Sequence, residues 1–228
     1  MILNETKTKV MIFNTTENYQ FGAELMLSDK KLEVVKKTKL LGVVITDDLK
    51  WNENTDTIVK RANVRLELLR KVSSFGASIE DMKNIYVLYI RSVLEQSCIV
   101  WHSRLTEENS QDIERVQKAA MRIILGIKYT EYENALEKVD LEKLSERRTM
   151  LCLKFAQNCL KHEKTKDIFK LSEKNHPMRT RYPEHFDVKY ANTGRLQTSA
   201  IPYMQRLLND DSEKNPEKYQ RKKLRKPG

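Results

Sequence analysis

Two adjacent carboxylates, Asp47-Asp48, are the first residues of this 228-residue chain that could do chemistry. Phosphoryl transfer on two divalent metals needs carboxylates that converge on the ions, so that attacking and leaving oxygens are both clamped. Adjacent side chains on a strand point to opposite faces, so this pair would need a particular turn and a third, distant carboxylate. It comes after an apolar run and leads into Leu49-Lys50-Trp51, and Asp is a common turn former; the pair reads as a turn. Cys152, Cys159 and His162 share one expected helix, with His176 beyond. They lack the paired C-x₂₋₄-C spacing of structural zinc sites and read as buried thiols beside Leu151 and Phe155. Trp101-His102 reads as a packing indole followed by a capping imidazole. The six glycines are not paired at phosphate-loop spacing. These groups point to no catalytic residue, metal ligand or cofactor.

The cations carry more. Lys and Arg exceed Asp and Glu by 10, with a pI near 9.4, a surplus that favours a polyanionic partner. At 100° per residue, Arg115, Lys118 and Arg122 fall within about 60° of one another, and Gln111 extends the line. The apolar set Ile113, Val116, Ala120, Ile123 and Ile124 lies opposite, which would turn the basic stripe to solvent as a phosphate-contacting edge. Lys60, Arg61, Arg65, Arg70 and Lys71 form no single stripe. Arg61 and Arg65 share a flank beside the apolar face, and Lys60 and Lys71 crown the far side around Glu67. Lys60, Arg61, Arg65 and Lys71 join the candidate nucleic-acid contacts. A basic tail over the last 17 residues, from Ser212, is a further candidate for polyanion contact, or a solubilising or import-directed segment.

The elements that position these groups are mostly helical. Gly and Pro number only 6 and 5, against an average near 12 % of residues together, which argues against any fold needing many tight turns. Apolar residues at 39 % suffice for a core, although 32 % are charged. Residues 1–46 alternate as short strands do, at Lys9 to Phe13, Glu24 to Leu27, Leu32 to Val35 and Leu40 to Ile45, with a turn at Ser28-Asp29-Lys30; they predict a small antiparallel sheet. From Trp51 the period becomes helical, with Ile58, Ala62, Leu66 and Leu69 on one face. Ser78, three residues before Asp81, caps a second helix reaching about Trp101. Apolar nearly all round, that helix is expected at the centre. Thr106 with Glu107 and Glu108 starts a third, which Gly126 stops. Glu131 to Lys138 predicts a short helix, and Asp140 a cap for one through about Leu160 with Leu141, Leu144, Leu151 and Phe155 inward. The expected segments are a β region over 1–50, a helical bundle over 51–127, a helical extension over 128–165, and an irregular segment with a basic tail over 166–228, with a helical turn at Tyr203 to Leu208. No run approaches a membrane span, and Lys7 and Lys9 interrupt any leader after Met1. Three scattered cysteines predict a reduced, intracellular chain, nuclear or cytoplasmic.

Several ordered segments resemble the palm end, thumb and downstream region of the reverse transcriptase of jockey-like non-LTR retrotransposons. They are Leu3 to Phe13, Leu40 to Ile45 with Asp48 to Trp51, Tyr89 to Glu95, Val100-Trp101-His102, Ile113 to Ala119, Glu146-Arg147-Arg148 with Leu151 to Phe155, and Ser199 to Met204. The resemblance implies a polymerase fragment in which Lys7 and Lys9 match the last palm motif, Leu41-Gly42 a primer-grip-like hairpin, and the helices from Trp51 to Gly126 the thumb. In that family the metal-binding aspartates precede the stretch matching Leu3 to Phe13. The expectation is therefore a chain that holds RNA, DNA or a hybrid through phosphates and has no polymerase activity by itself. Two other outcomes stay open: a repurposed noncatalytic nucleic-acid-binding remnant, or a helical scaffold whose apolar surface takes the missing palm or another protein. Leu40 to Phe75 also resembles a segment named for AlkB-type dioxygenases, but that chemistry needs a His-x-Asp…His iron triad on a β-sandwich, and the sequence has neither.

Overall fold

The computed structural model describes residues 8–13, 22, 24–27, 30–169, 186, 188, 193–215 and 218–219. The expected turn at Ser28-Asp29, the residues through Lys7 and most of the basic tail lie outside them. The protein is mainly helical, as the periodicity predicts, with a small β region at its start. It divides into two compact units, Met1–Ser97 with Leu105–Leu144, and Cys98–Arg104 with Ser145–Gly228.

In the first unit the β region is three separate pairs, not the single antiparallel sheet expected. β1 (Lys9–Val10) pairs in parallel with β4 (Glu33–Val34), while β2 (Met26–Leu27) and β3 (Lys30–Lys31) form an antiparallel hairpin. β5 (Lys37–Leu40) and β6 (Val43–Thr46) form another hairpin, in register Leu40↔Val43. Leu40 to Ile45, expected as one strand, is therefore the bend of that hairpin. Leu41 and Gly42 both take positive φ, 49° and 89°, the geometry that lets a two-residue turn match the strand twist. Gln96 closes on Gly42 so tightly that a Cβ there would collide with its amide. Two-stranded pairs are marginal without further cover. Amides of Lys9 to Ile45 are therefore expected to exchange with solvent earlier than those of Ile79 to Val100 in a native-state hydrogen-exchange experiment; equal protection would mean that the hairpins share the cooperative core.

α1 (Asn52–Ser74) buries Ile58, Ala62, Leu66 and Leu69, the predicted face. Asn54 Oδ1 accepts the Val44 amide at 3.1 Å and ties β6 to the start of this helix. α2 (Ile79–Ile85) is capped by Ser78, whose hydroxyl accepts the Asp81 amide at 3.1 Å. The long central helix expected here is broken. Tyr86–Arg91 is a π-helical turn, α3 (Ser92–Leu94) comes next, and Ser97 at φ 53° separates it from α4 (Cys98–Trp101). Nor is this segment buried all round: Leu88 is 75 % exposed and Tyr89 is exposed beside it. α5 (Glu107–Leu125) starts at Thr106, whose hydroxyl accepts the Asn109 amide at 3.1 Å, and ends at Gly126 with φ 51°. It packs on α1 with Ile113, Val116, Ala120 and Ile124 buried.

α6 (Tyr132–Val139) ends on Asp140 in the left-handed conformation. Asp140 thus closes α6 instead of capping the next helix, and α7 (Leu144–Lys161) begins four residues later. The inward face of α7 also differs from expectation: Phe155 is exposed, and Leu144, Arg148, Cys152, Ala156 and Cys159 are buried. Those residues recur at steps of four and then three, one stripe of a 3.6-residue helix, but Arg148 hides the stripe from a purely apolar pattern. In the second unit Cys152, Ala156 and Cys159 pack with Phe169, Phe186, Met204 and Leu208. The last two belong to α9 (Ala200–Lys214), a full helix where the sequence suggests only a turn; α8 (Gly194–Gln197) precedes it.

Candidate nucleic-acid interface

α5 presents the predicted stripe, and the structure shows what each member does at rest. Arg115 is exposed and pairs with Asp112. Gln111 donates to Glu107 at 3.0 Å. Lys118 lies over the Tyr132 ring, 4.9 Å from its centroid, and Arg122 lies over Tyr129 at 5.4 Å. One turn apart, these two cations rest on two aromatic faces, an arrangement that restricts their rotamers; Lys118 is half-buried there and Arg122 exposed. The tyrosines were not legible as partners because a 3₁₀ turn (Gly126–Lys128) and the start of α6 carry them back over α5.

The α1 cations are arranged differently. Arg61 donates to Gln96 Oε1 at 3.2 Å, and Arg65 lies 4.2 Å over the Tyr89 ring while donating to the Tyr89 carbonyl. Arg65 thus sits between α1 and the π-helical segment, and Arg61 reaches Gln96, just past α3. Lys60 and Lys71 are exposed on the outward side of α1. Since α1 and α5 turn their apolar faces to a shared core, the α5 stripe and the Lys60–Lys71 edge do not make one continuous surface.

Beneath the α5 stripe runs a buried polar chain. The Tyr86 hydroxyl donates to Gln117 Oε1, and Gln117 Nε2 donates to the Tyr132 hydroxyl and to the Glu142 carbonyl, both at 2.9 Å. Tyr132 in turn donates to Glu114 Oε1, which also accepts the Leu144 amide at 3.2 Å. Burial, together with the Glu114 carboxylate that accepts its proton, pushes the Tyr132 phenol far above its ordinary value. The chain fixes the ring on which Lys118 rests.

The remaining candidate residues are structural. Asp48 closes a turn: its carboxylate accepts the Thr46 hydroxyl at 2.6 Å and the Lys50 amide at 2.9 Å. Against the cost of burial, these bonds hold its carboxyl below the usual range. An open cavity of about 730 Å³ beside it is lined by acids and cations alike. Lys9 pairs there with Glu33 at 3.1 Å, Lys37 with Glu53 at 3.5 Å and Lys50 with Asp48 at 3.8 Å, so its charges largely cancel. Cys98, Cys152 and Cys159 are buried free thiols; a hydrogen bond with Cys98, together with burial, pushes the Cys152 thiol up. Among the described residues no cluster of His, Cys, Asp or Glu could hold a metal, and no helix is long and apolar enough to cross a membrane.

His102 is no cap. Its Nδ1 accepts the Arg148 Nε proton at 3.3 Å, which leaves the proton on Nε2, 3.1 Å from Thr149 Oγ1. That hydroxyl donates to the Ser145 carbonyl at 3.0 Å, so Tyr203, 3.2 Å away, must be a donor to it. Arg148 is fully buried, with Trp101 6.0 Å from its guanidinium. These four residues make a polar core for the second unit, and sequence spacing carries no sign that positions 102, 148, 149 and 203 would meet.

No family model matches the chain, and no curated protein or solved structure is similar to it. The reverse transcriptase, retrotransposon and thumb labels drawn from the motif resemblance are corrected accordingly: nothing found by comparison ties this protein to them, and they are more specific than its fold and charge allow.

Proposed function

We propose that this protein is a noncatalytic nucleic-acid-binding helical module that holds its ligand through phosphates along α5. The observation that carries the reading is the pair Lys118 and Arg122, one helical turn apart and each resting on a tyrosine ring. A cation already ordered by an aromatic face gives up less side-chain entropy when it meets a phosphate. Arg122 is exposed, and its guanidinium still offers paired donors to phosphate oxygens. Arg115 joins them by exchanging its partner Asp112 for a phosphate, and the net charge of +10 draws the polyanion in.

The test is salt dependence. If Arg115, Lys118 and Arg122 each neutralise a phosphate of a DNA duplex, replacing all three with Ala flattens the slope of log K against log[salt] by roughly 0.9 per contact, about 2.7 in total. Affinity falls by a similar factor on unrelated sequences, because phosphate contacts position a protein without reading bases. A folded triple variant with the parent slope removes α5 as the binding edge.

A further inference from the structure

α1 carries a second seam, on the side away from its core. Val64 and Leu68 lie one turn apart, and Phe75, just past the helix end, continues their line within about 20° of its mean direction. Val64 is 72 % exposed and Phe75 89 %, and Leu68 is exposed between them. The line is about 17 Å long at 1.5 Å per residue, and its steps of four and seven are those by which one helix receives another. Its margins are cationic: Lys60 and Lys71 are exposed along one side, and the half-buried Arg61 and Arg65, engaged with Gln96 and Tyr89, border the other. The acid nearest the seam, Glu67, is engaged by Arg70.

We propose that this seam docks an acidic amphipathic helix of a partner protein, with the partner's Leu or Ile side chains on Val64, Leu68 and Phe75 and its Asp or Glu side chains on the flanking cations. The charge pattern selects that occupant. A second copy of this chain would bring the same cations against themselves, and like charges across an interface cost affinity. Val64 and Leu68 are aliphatic, and the single ring of Phe75 at one end is no run of aromatic faces for successive nucleic-acid bases. A lipid surface asks for a broad apolar face, but α1 spends its other face on the core and leaves a strip one residue wide. The apolar strip with charged margins on both sides is the helix-in-groove pattern.

The probe is a fluorescent peptide about three heptads long, with Leu at heptad positions a and d and Glu at e and g, titrated with the full chain. Binding is expected with a dissociation constant in the tens of micromolar. The charge-neutral double substitution Val64→Gln/Leu68→Gln is expected to weaken it at least tenfold while circular dichroism stays unchanged, both sites being exposed. Lys60→Gln/Lys71→Gln should weaken it several-fold and reduce its salt sensitivity. The α5 triple variant should bind the peptide as the parent does, which separates this seam from the phosphate edge. Equal binding of a peptide with Lys in place of Glu would overturn the proposal, as would unchanged affinity in Val64→Gln/Leu68→Gln. Two results would each assign the seam to another occupant and overturn it likewise. One is a dimer in sedimentation that the double substitution dissociates; the other is binding to phosphatidylserine vesicles that it abolishes.

Discussion

Replacing Gln117 with Leu should destabilise the first unit by about 3 kcal/mol, although the two side chains are similar in size. Gln117 is fully buried and joins three groups at once: it accepts from Tyr86 and donates to Tyr132 and to the Glu142 carbonyl. Leucine removes all three bonds, two of them to the buried Tyr86 and Tyr132 hydroxyls, and sets an apolar side chain against both. A lost buried partner costs about 1–3 kcal/mol, more than the net worth of an ordinary hydrogen bond. Urea unfolding followed by the fluorescence of Trp51, buried in the same unit, measures the loss. Tyr86→Phe alone should cost about 1–2 kcal/mol. Combined with Gln117→Leu it should add less than that, because the bond to Gln117 is then already lost. A midpoint shift in Gln117→Leu worth under about 0.5 kcal/mol would mean that the chain relaxes around the leucine and that the network specifies nothing. The same substitution loosens Tyr132, so it should also weaken phosphate binding at Lys118.

The starts of α2 and α5 and the stop of α5 were legible because each has a local cause. Ser78 and Thr106 cap through their own hydroxyls, and Gly126 stops α5 by taking a conformation that costs it little. The core faces of α1 and α5 were legible for the same reason, since a 3.6-residue period is a property of the segment alone. What the sequence hid depends on partners far along the chain. The helix after Ser78 looked buried all round, yet α1 and α5 cover only part of it, and Leu88 and Tyr89 stay outside. Arg148 occupies an inward position of α7 because Trp101 and His102, more than forty residues earlier, supply a ring and an acceptor. The strands failed as a sheet because alternation marks an extended segment and says nothing of which segment it pairs with; Lys9 found Glu33 in parallel. In the candidate interface, the cation spacing on α5 was readable from helical geometry, but the rings under Lys118 and Arg122 come from residues beyond a chain reversal. The apolar seam on α1 is written in the sequence as Val64, Leu68 and Phe75. A periodicity argument has no use for it, because Ile58, Ala62, Leu66 and Leu69 already account for a core face and only the fold shows the seam uncovered.

Lowering the pH from about 7 to about 4 should cost the second unit about 2–3 kcal/mol through His102 alone. Burial, reinforced by the neighbouring Arg148 guanidinium, pushes this imidazole down to about 4 from an ordinary value of 6.5. In the folded protein its Nδ1 accepts from Arg148 and therefore must stay unprotonated. Between about pH 6.5 and about 4 the unfolded chain takes up a proton that the folded unit refuses. Stability then falls as the pH falls, by up to about 1.4 kcal/mol for each unit of the pKa difference. The stabilisation is fully present above the unfolded value and gone below the folded one; residual exposure of the ring trims the total. Carboxylates titrate toward the lower end of the same range, so the measurement is a difference. In a Trp51→Phe background, with Trp101 reporting on the second unit, urea midpoints of the parent and of His102→Gln are compared from about pH 7.5 to about 4. Glutamine's amide oxygen can accept from Arg148 but its side chain does not titrate. The parent should lose stability relative to His102→Gln through the window and run parallel to it above about pH 7. Parallel curves throughout would mean that His102 keeps an ordinary affinity for its proton and that Arg148 tolerates an imidazolium at 3.3 Å. Buried charges can share a site only with compensating partners, and the Thr149 and Tyr203 hydroxyls beside His102 bring no negative charge to offset a second cation.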